Sequence, residues 1–315
     1  MTERGTGVVQ GPSPAPVEDD ETWTVLRLMR WSGEYLEGKG VERGRLDAEH
    51  LLADVLGLER LQLYLQFDRP VVGPELDRFR PLLKRRAKRE PLQYILGRVG
   101  FRELELEVDR DVLIPRPETE ILLDEVLAWS RGLGVEGLEA LDLGTGSGAI
   151  ALSLLREGPF SRVVATDLSE AALAVARRNS EATGLSEGVE FRAGSFFDPV
   201  ADHESFDLVV SNPPYVAEAE APALQPEVRD WEPSQALFGG PDGLAAIRTI
   251  VAGAGVHLKP GGMLALEVGS SQSGPVVALL ESTGEYTDVR VRRDLTGRER
   301  VVLSRRAPTT STHST

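Results

Sequence analysis

Four consecutive residues, Asn212-Pro213-Pro214-Tyr215, carry the plainest chemistry in the chain. The Asn212 side-chain carbonyl accepts a hydrogen bond, and the main-chain carbonyl of Pro213 accepts another. Two prolines fix φ and lack an N–H, so both acceptors stand still. Tyr215 adds a flat π-face. A planar NH2 group, either a carboxamide or an exocyclic base amine, could give its two protons to the two carbonyls and lie against the ring. Its nitrogen would then face an electrophile. The same residues could equally make a proline-rich turn over a buried tyrosine. A second stretch shifts the balance. Gly144-Thr145-Gly146-Ser147-Gly148 follows a short apolar run and precedes a helical one, which lets backbone approach a ligand closely. Asp167 closes the next apolar run, where a carboxylate can accept both hydroxyls of a ribose. The alternative for Asp167 is a turn or helix-capping role, which Ser169 makes less necessary. Together these residues indicate a nucleoside ligand. The glycine spacing is not the dinucleotide fingerprint, no Walker lysine follows it, and neither a nucleophile nor an acid–base pair stands out. Methyl transfer from a sulfonium donor fits, because the donor is already activated and the protein supplies proximity, alignment and desolvation.

Such groups need a sheet whose strand ends bring them together. From about Leu138 the pattern alternates strand and helix. Strands are expected at 140–143, 162–166, 189–192, 206–210 and 263–268, with helices from Ala149 and over 169–183, 244–258 and 271–282. Residues 259–262 (Lys-Pro-Gly-Gly) read as a turn. Residues 286–293 and 300–304 close as a hairpin-like pair. This predicts an α/β fold, a doubly wound, mostly parallel seven-stranded sheet of Rossmann-like type with an antiparallel end. Upstream, 22–89 repeats apolar residues at helical spacing (Trp23, Leu26, Leu28, Met29, Trp31, Leu36) and predicts a small bundle of four or five helices. Phe101 to Val108 alternates like a hairpin. Residues 112–114 read as a strand running into Pro115 and Pro117, with a helix from Glu118. The expected division is a disordered leader (1–20), a helical domain (21–96), a hairpin and linker (97–117), a catalytic domain (118–305) and a disordered tail (306–315). The basic run at 84–89 reads as a solvated helix end that complements the helix dipole, ahead of a docking patch.

The 315 residues include 41% hydrophobic and 27% charged, ample for a sizeable core. With no cysteine, disulfides, a thiol nucleophile and Cys-ligated zinc are excluded, and the four histidines are scattered, so no metal site is expected. A net charge of −15 should repel polyanions, so no direct nucleic-acid partner is expected. No apolar run is long enough for a membrane span and the N-terminus does not resemble a signal peptide, which suggests no membrane partner and a cytoplasmic location.

Leu141-Asp142-Leu143-Gly144-Thr145-Gly146-Ser147-Gly148 resembles motif I of class I S-adenosylmethionine-dependent methyltransferases, and Asn212-Pro213-Pro214-Tyr215 resembles their amino-nitrogen-methylating motif. Combined with Leu113-Ile114-Pro115-Arg116-Pro117-Glu118-Thr119-Glu120 and the helical N-terminal part, the chain resembles the release factor glutamine methyltransferase family over roughly residues 22–304. The resemblance implies N5-methylation of the glutamine in the Gly-Gly-Gln loop of class 1 peptide chain release factors, with S-adenosylmethionine as cofactor and the helical domain as the substrate-recognition part. It implies that Gly144, Thr145, Gly146, Ser147 and Gly148 hold the methionine part and Asp167 the ribose. Phe196 would lie beside the adenine. Asn212 would contact both cofactor and substrate amide, Pro213 would accept the second amide proton, Pro214 would keep the loop rigid, and Tyr215 would pack on the carboxamide. Phe101, Arg116, Glu118 and Thr119 would close the cofactor pocket; read alone, Arg116 and Glu118 could equally be a salt bridge and helix-start charge. Ser195 departs from the acidic residue frequent in relatives before the aromatic, so a hydroxyl or main-chain group would replace that adenine contact.

A sister family methylates a glutamine of a large-subunit ribosomal protein and shares Asn-Pro-Pro-Tyr, but its junction differs where this chain has Pro117-Glu118-Thr119-Glu120. DNA or RNA amino-methyltransferases use the same loop on extruded bases; the acidic charge counts against them. A non-enzymatic cofactor-binding scaffold has no need of the Asn212 acceptor geometry.

Overall fold

The structure, a computed structural model, describes residues 22–308. The expected leader and all but the first three residues of the expected tail lie outside them. The chain divides into two units, Met1–Leu96 and Gly97–Thr315. Among the described residues no helix is long and apolar enough to cross a membrane.

The first unit is helical: α1 (Val25–Gly38), α2 (Gly44–Leu56), α3 (Arg60–Leu65), α4 (Gly73–Ala87) and α5 (Leu92–Leu96). The Thr24 hydroxyl caps α1 by accepting from the Arg27 amide. Val25, Leu28, Met29, Leu36, Leu51 and Leu52 lead its core. Trp31, expected on that apolar face, instead lies on the outside, stacked on Tyr35. The basic run is not a free, solvated end. Arg85 forks onto Glu90 at 2.7 and 2.9 Å, and buried Arg86 binds Asp47 at 2.7 Å. Two of its cations therefore hold the bundle together, and a buried pair of this kind costs several kcal/mol to break.

The second unit opens with a hairpin, β1 (Arg98–Phe101) and β2 (Leu104–Glu107). There follow α6 (Pro117–Gly132), β3 (Leu138–Leu143), α7 (Ala149–Glu157), β4 (Phe160–Asp167), α8 (Glu170–Thr183), β5 (Val189–Ala193) and β6 (Phe206–Ser211). A short 3-10 turn and two single-turn helices, α9 (Pro226–Arg229) and α10 (Ser234–Leu237), lead to α11 (Ala245–His257), β7 (Leu258–Glu267), α12 (Ser273–Thr283), β8 (Tyr286–Arg293) and β9 (Glu299–Arg306). The sheet has seven strands in the order β5-β4-β3-β6-β7-β9-β8, parallel through β7 and antiparallel at the β9–β8 edge. The central strands are near-continuous apolar runs because helices cover both faces. Leu138, Ala140, Leu208 and Val210 face one core cluster, and Leu141, Leu143, Val209 and Leu264 face the other.

Three segments differ from the expectation. Residues 112–114 form no strand. Val112 and Ile114 are buried like strand residues, yet Pro115 and Pro117 interrupt any ladder, and the Ile114 amide donates instead to the Glu232 carboxylate. The 259–262 turn is absorbed into the start of β7, with a register shift against β6. Arg306, assigned to the tail, is the last residue of β9 and pairs with Tyr286.

Candidate active site

Parallel register aligns the carboxyl ends of β4, β3, β6 and β7. Leu143 pairs with Thr166 on one side and with Ser211 on the other, and Ser211 pairs with Leu266. The chain runs outward from β3 to β5 and then returns to β6 on the other side of β3. The loops after β3 and β6 thus diverge, and a crevice opens at this switch point. The glycine turn leaves β3 on one side; Asn212-Pro213-Pro214-Tyr215 leaves β6 on the other.

The glycine turn is tied down from several directions. The amides of Gly144 and Thr145 donate to the Thr166 carbonyl at 2.8 and 3.0 Å. The Thr145 hydroxyl donates to buried Asp142 at 2.6 Å, and the Gly146 amide donates to Asp167 at 2.9 Å. Asn179, buried in α8, donates to the Ser147 carbonyl and pairs with both main-chain groups of Glu107, so the hairpin braces the turn. Gly144 and Gly146 have φ of +74° and +55°, and a Cβ on either would point into open space. Beside the turn lies a cavity of about 350 Å³ whose walls include Gly144, Asp167, Ser195, Phe196, Pro214 and Gly239. A smaller one of about 90 Å³ shares Gly144, Asp167, Leu168 and Pro214 and adds Val112, Asn212 and Gln235. A glycine cradle, a carboxylate and an aromatic around a cavity of this size suit an adenosyl group. Phe196 is held there at φ +45°, a strained conformation for a residue with a Cβ. A separate cavity of about 380 Å³ by Trp129 and Arg305 lies at the β9–β8 edge and shares none of these residues.

The Asn-Pro-Pro-Tyr loop is held from behind. The Asn212 amide group donates to the Thr119 hydroxyl at 3.1 Å. That hydroxyl donates to Glu267 at 2.6 Å, and the Tyr215 hydroxyl donates to the other Glu267 oxygen at 3.1 Å. Phe238 bridges Val216, and Gly239 and Gly243 lie against the loop so closely that a Cβ would meet the Pro214 carbonyl oxygen at 2.4 Å and the Tyr215 carbonyl oxygen at 2.2 Å. Gln272 donates to the Tyr215 carbonyl at 2.9 Å.

The electrostatics follow from burial. Loss of solvent pushes Asp142 up to about 7, against the Thr145 hydroxyl, which favours the charged form; nearby Asp167 adds to the rise. Burial also raises Asp167, partly offset by the Ser169 and Gly146 amides that it accepts. Glu267 is pushed up to about 7, first by burial and then by Glu118, while Thr119, Tyr215 and Arg300 pull it down. Burial, and then the Glu267 charge, raise the Tyr215 phenol well above its ordinary value.

Of the expected site residues, Gly144, Gly146, Asp167, Phe196, Asn212 and Pro214 line the two crevice cavities, as does Ser195. Thr145, Ser147 and Pro213 are buried within their loops, and Gly148 caps α7. Thr119 and Tyr215 stand behind Asn212 on Glu267, with Glu118 close to both Tyr215 and Glu267. Arg116 pairs with buried Glu232, the ordinary salt bridge of the two readings. Phe101 packs in the core with Leu104 and Leu106 and is not on the walls of either cavity. Sequence reasoning missed Glu267, Asn179 and the loop of residues 238–243; it placed Trp231-Glu232-Pro233 at a substrate entrance but gave Glu232 no role. A carboxylate ending the apolar run Met263-Leu264-Ala265-Leu266 was one available signal, and the glycine cluster at 239–243 another.

A family profile described as the PrmC N-terminal domain matches residues 27–97, and one described as the methyltransferase small domain matches 119–226. The release factor glutamine methyltransferase of Geobacter sulfurreducens is 44% identical over 91% of this chain and 99% of its own length. That of Gloeobacter violaceus is 45% identical over 82% and 89%. Among solved structures, a methyltransferase from Pyrococcus furiosus is similar with a TM-score of 0.50 at 22% identity, covering 66% of this chain and 91% of its own; this likeness shows the fold.

Proposed function

This chain belongs to the release factor glutamine methyltransferase family, and we propose that it methylates N5 of the glutamine in the Gly-Gly-Gln motif of class 1 peptide chain release factors. S-adenosylmethionine would supply an electrophilic methyl on its sulfonium: the substrate amide nitrogen would bond to that carbon, the carbon–sulfur bond would break with its electron pair left on sulfur, and one amide proton would pass to water.

The observation that carries this reading is the anchoring of Asn212 at the cavity wall. Its NH2 is engaged by Thr119, which leaves its carbonyl for a substrate N–H. A carboxamide nitrogen is a poor nucleophile, because its lone pair is delocalised. Two fixed acceptors, the Asn212 carbonyl and the Pro213 main-chain carbonyl, would draw on its protons and aim the nitrogen. Tyr215 would pack on the carboxamide. Gly144 to Gly148 would carry the methionine part of the cofactor, Asp167 the ribose hydroxyls and Phe196 the adenine face. Ser195, on the same wall, offers a hydroxyl toward the adenine. Arg116, Glu118 and Thr119 support the site from behind through Glu232 and Glu267.

The helical unit is the recognition part in this reading. Its α3 and the turn that follows expose Leu61, Leu65 and Phe67, an apolar surface suited to a protein partner. The reaction belongs in the cytoplasm, where release factors act.

Mass spectrometry of a purified release factor after incubation with this protein and S-adenosylmethionine tests the reading. A gain of one methyl on the Gly-Gly-Gln glutamine is expected. Transfer to a ribosomal protein or a nucleic acid instead would overturn the substrate while keeping the cofactor.

A further inference from the structure

We propose that Glu267 is a positioning residue for methyl transfer: acting through the Thr119 hydroxyl, it decides which end of the Asn212 amide faces the substrate. This rests on the acceptor role of Asn212 given above.

The argument is one of proton direction. A threonine hydroxyl has one proton to give and lone pairs to receive. An ionised carboxylate only accepts. With Glu267 ionised, the Thr119 proton must point to Glu267, as the 2.6 Å bond has it. The Thr119 lone pair then faces Asn212 and takes an N–H from it at 3.1 Å. The Asn212 carbonyl is thereby turned away from Thr119, where a substrate amide can reach it. The opposite order needs Glu267 to donate. Thr119 would then give its proton to the Asn212 oxygen, the amide would turn over, and an NH2 would meet the substrate NH2 donor to donor. Tyr215 strengthens the first order, since its hydroxyl donates to the second Glu267 oxygen at 3.1 Å.

Glu267 is fully buried, and the residues before it on the strand, Met263 to Leu266, are buried and apolar. A carboxylate there calls for a compensating role. The groups that face it are Glu118 and Thr119 of α6, Tyr215 of the β6 loop and Arg300 of β9. Arg300 itself is held by Asp294 at 3.3 Å. Burial, helped by Glu118, outweighs the Thr119 and Tyr215 hydrogen bonds and the Arg300 charge and pushes Glu267 up to about 7. Activity should therefore fall as pH drops through about 7, when Glu267 gains a proton and the order of donors reverses.

The test uses the full chain, a purified class 1 release factor and S-adenosylmethionine. Turnover is followed from pH 5.5 to 9 for the wild type, Glu267→Gln, Thr119→Val and Thr119→Ser, with cofactor affinity measured by calorimetry and Asn212→Ala as reference. Glu267→Gln and Thr119→Val should each lower kcat by about 30- to 100-fold. KM for the release factor and Kd for the cofactor should move less than about threefold, as expected of an interaction felt in the transition state. Thr119→Ser should stay within about threefold of wild type in kcat, because it keeps the hydroxyl. The acid limb of the wild type, centred near 7, should vanish in Glu267→Gln. Wild-type kcat and an unchanged acid limb in Glu267→Gln would overturn the proposal, as would a loss that appears entirely as weaker cofactor binding. Full turnover by Asn212→Ala would instead remove the acceptor reading beneath it. An inactive Asn212→Ala beside a normal Glu267→Gln would sink the relay alone.

Discussion

Gly239 is the place where one added carbon should remove the most rate for the least stability. A Cβ there would sit 2.4 Å from the Pro214 carbonyl oxygen and 2.6 Å from that of Gly243. Ordinary C···O contact lies at about 3.3–3.6 Å, so in Gly239→Ala these oxygens must retreat by roughly 1 Å. Both belong to the main chain and cannot swing aside as a side chain would. Pro214 is bonded to Pro213, whose carbonyl is the second proposed acceptor, and the two fixed φ angles pass the shift along the loop. A displacement of about 1 Å at a reacting centre costs about 100-fold in rate. The strain itself should cost about 1–3 kcal/mol of stability, which leaves the fold intact. Single-turnover methyl transfer to a release factor reads the first quantity and calorimetric melting the second. Cofactor Kd should rise only a few-fold, since Gly239 also borders the larger crevice cavity. Gly274→Ala is the control: a Cβ there meets nothing within 4 Å. It lies in α12, where alanine should add roughly 0.5–1 kcal/mol of stability with the rate unchanged. A Gly239→Ala protein with wild-type single-turnover rate would show either that the loop gives way freely or that acceptor position does not matter, and the reasoning would fail.

Asp167→Asn should weaken S-adenosylmethionine binding by about 10- to 100-fold, because Asp167 accepts from the amides of both Gly146 and Ser169 and an NH2 cannot replace either oxygen. Calorimetric titration measures it, and an unchanged Kd would refute the ribose role. Arg116→Ala should cost about 3–5 kcal/mol, since it strands the Glu232 carboxylate in a buried site. The double change Arg116→Met with Glu232→Met should recover most of that loss in denaturant unfolding. A single variant as stable as wild type would show that Arg116 serves the ligand and not the frame.

The glycine turn, Asp167 and Asn212-Pro213-Pro214-Tyr215 were legible because each is contiguous, and its chemistry can be read from the neighbours alone. The sheet was legible for the same reason: buried parallel strands are short apolar runs, and their order follows from the alternation with helices. What failed to show depends on partners distant along the chain. Arg116 read equally as a salt bridge or a ligand contact until Glu232 was placed beside it. The basic run looked solvated because Asp47 and Glu90 are invisible to periodicity. Residues 112–114 have the burial of a strand, but a strand is defined by its neighbours, and Pro115 with Pro117 denies them a continuous ladder. Thr119 is the sharpest case. In sequence it is one residue of a helix start; in the structure it is the bridge between Asn212 and Glu267.

Asp142, next to last in β3, and Glu267, last in β7, lie on the two strands that flank β6, and each accepts from hydroxyls at the site: Thr145 on one side, Thr119 and Tyr215 on the other. Apolar residues would pack these strand ends at lower cost, and the two carboxyls make the price visible in their titration. Burial raises both above the ordinary carboxylate range, to about 7. An acid whose folded pKa is raised binds its proton more tightly in the native state, so its contribution to stability declines as pH climbs from about 4 to about 7 and levels off beyond. The alignment of Asn212 follows the opposite course, since the Thr119 proton turns toward Glu267 only when that carboxyl has lost its own. Stability and turnover therefore pull Glu267 in opposite directions across the same pH interval. That opposition is what a carboxylate kept for geometry, and not for packing, should produce.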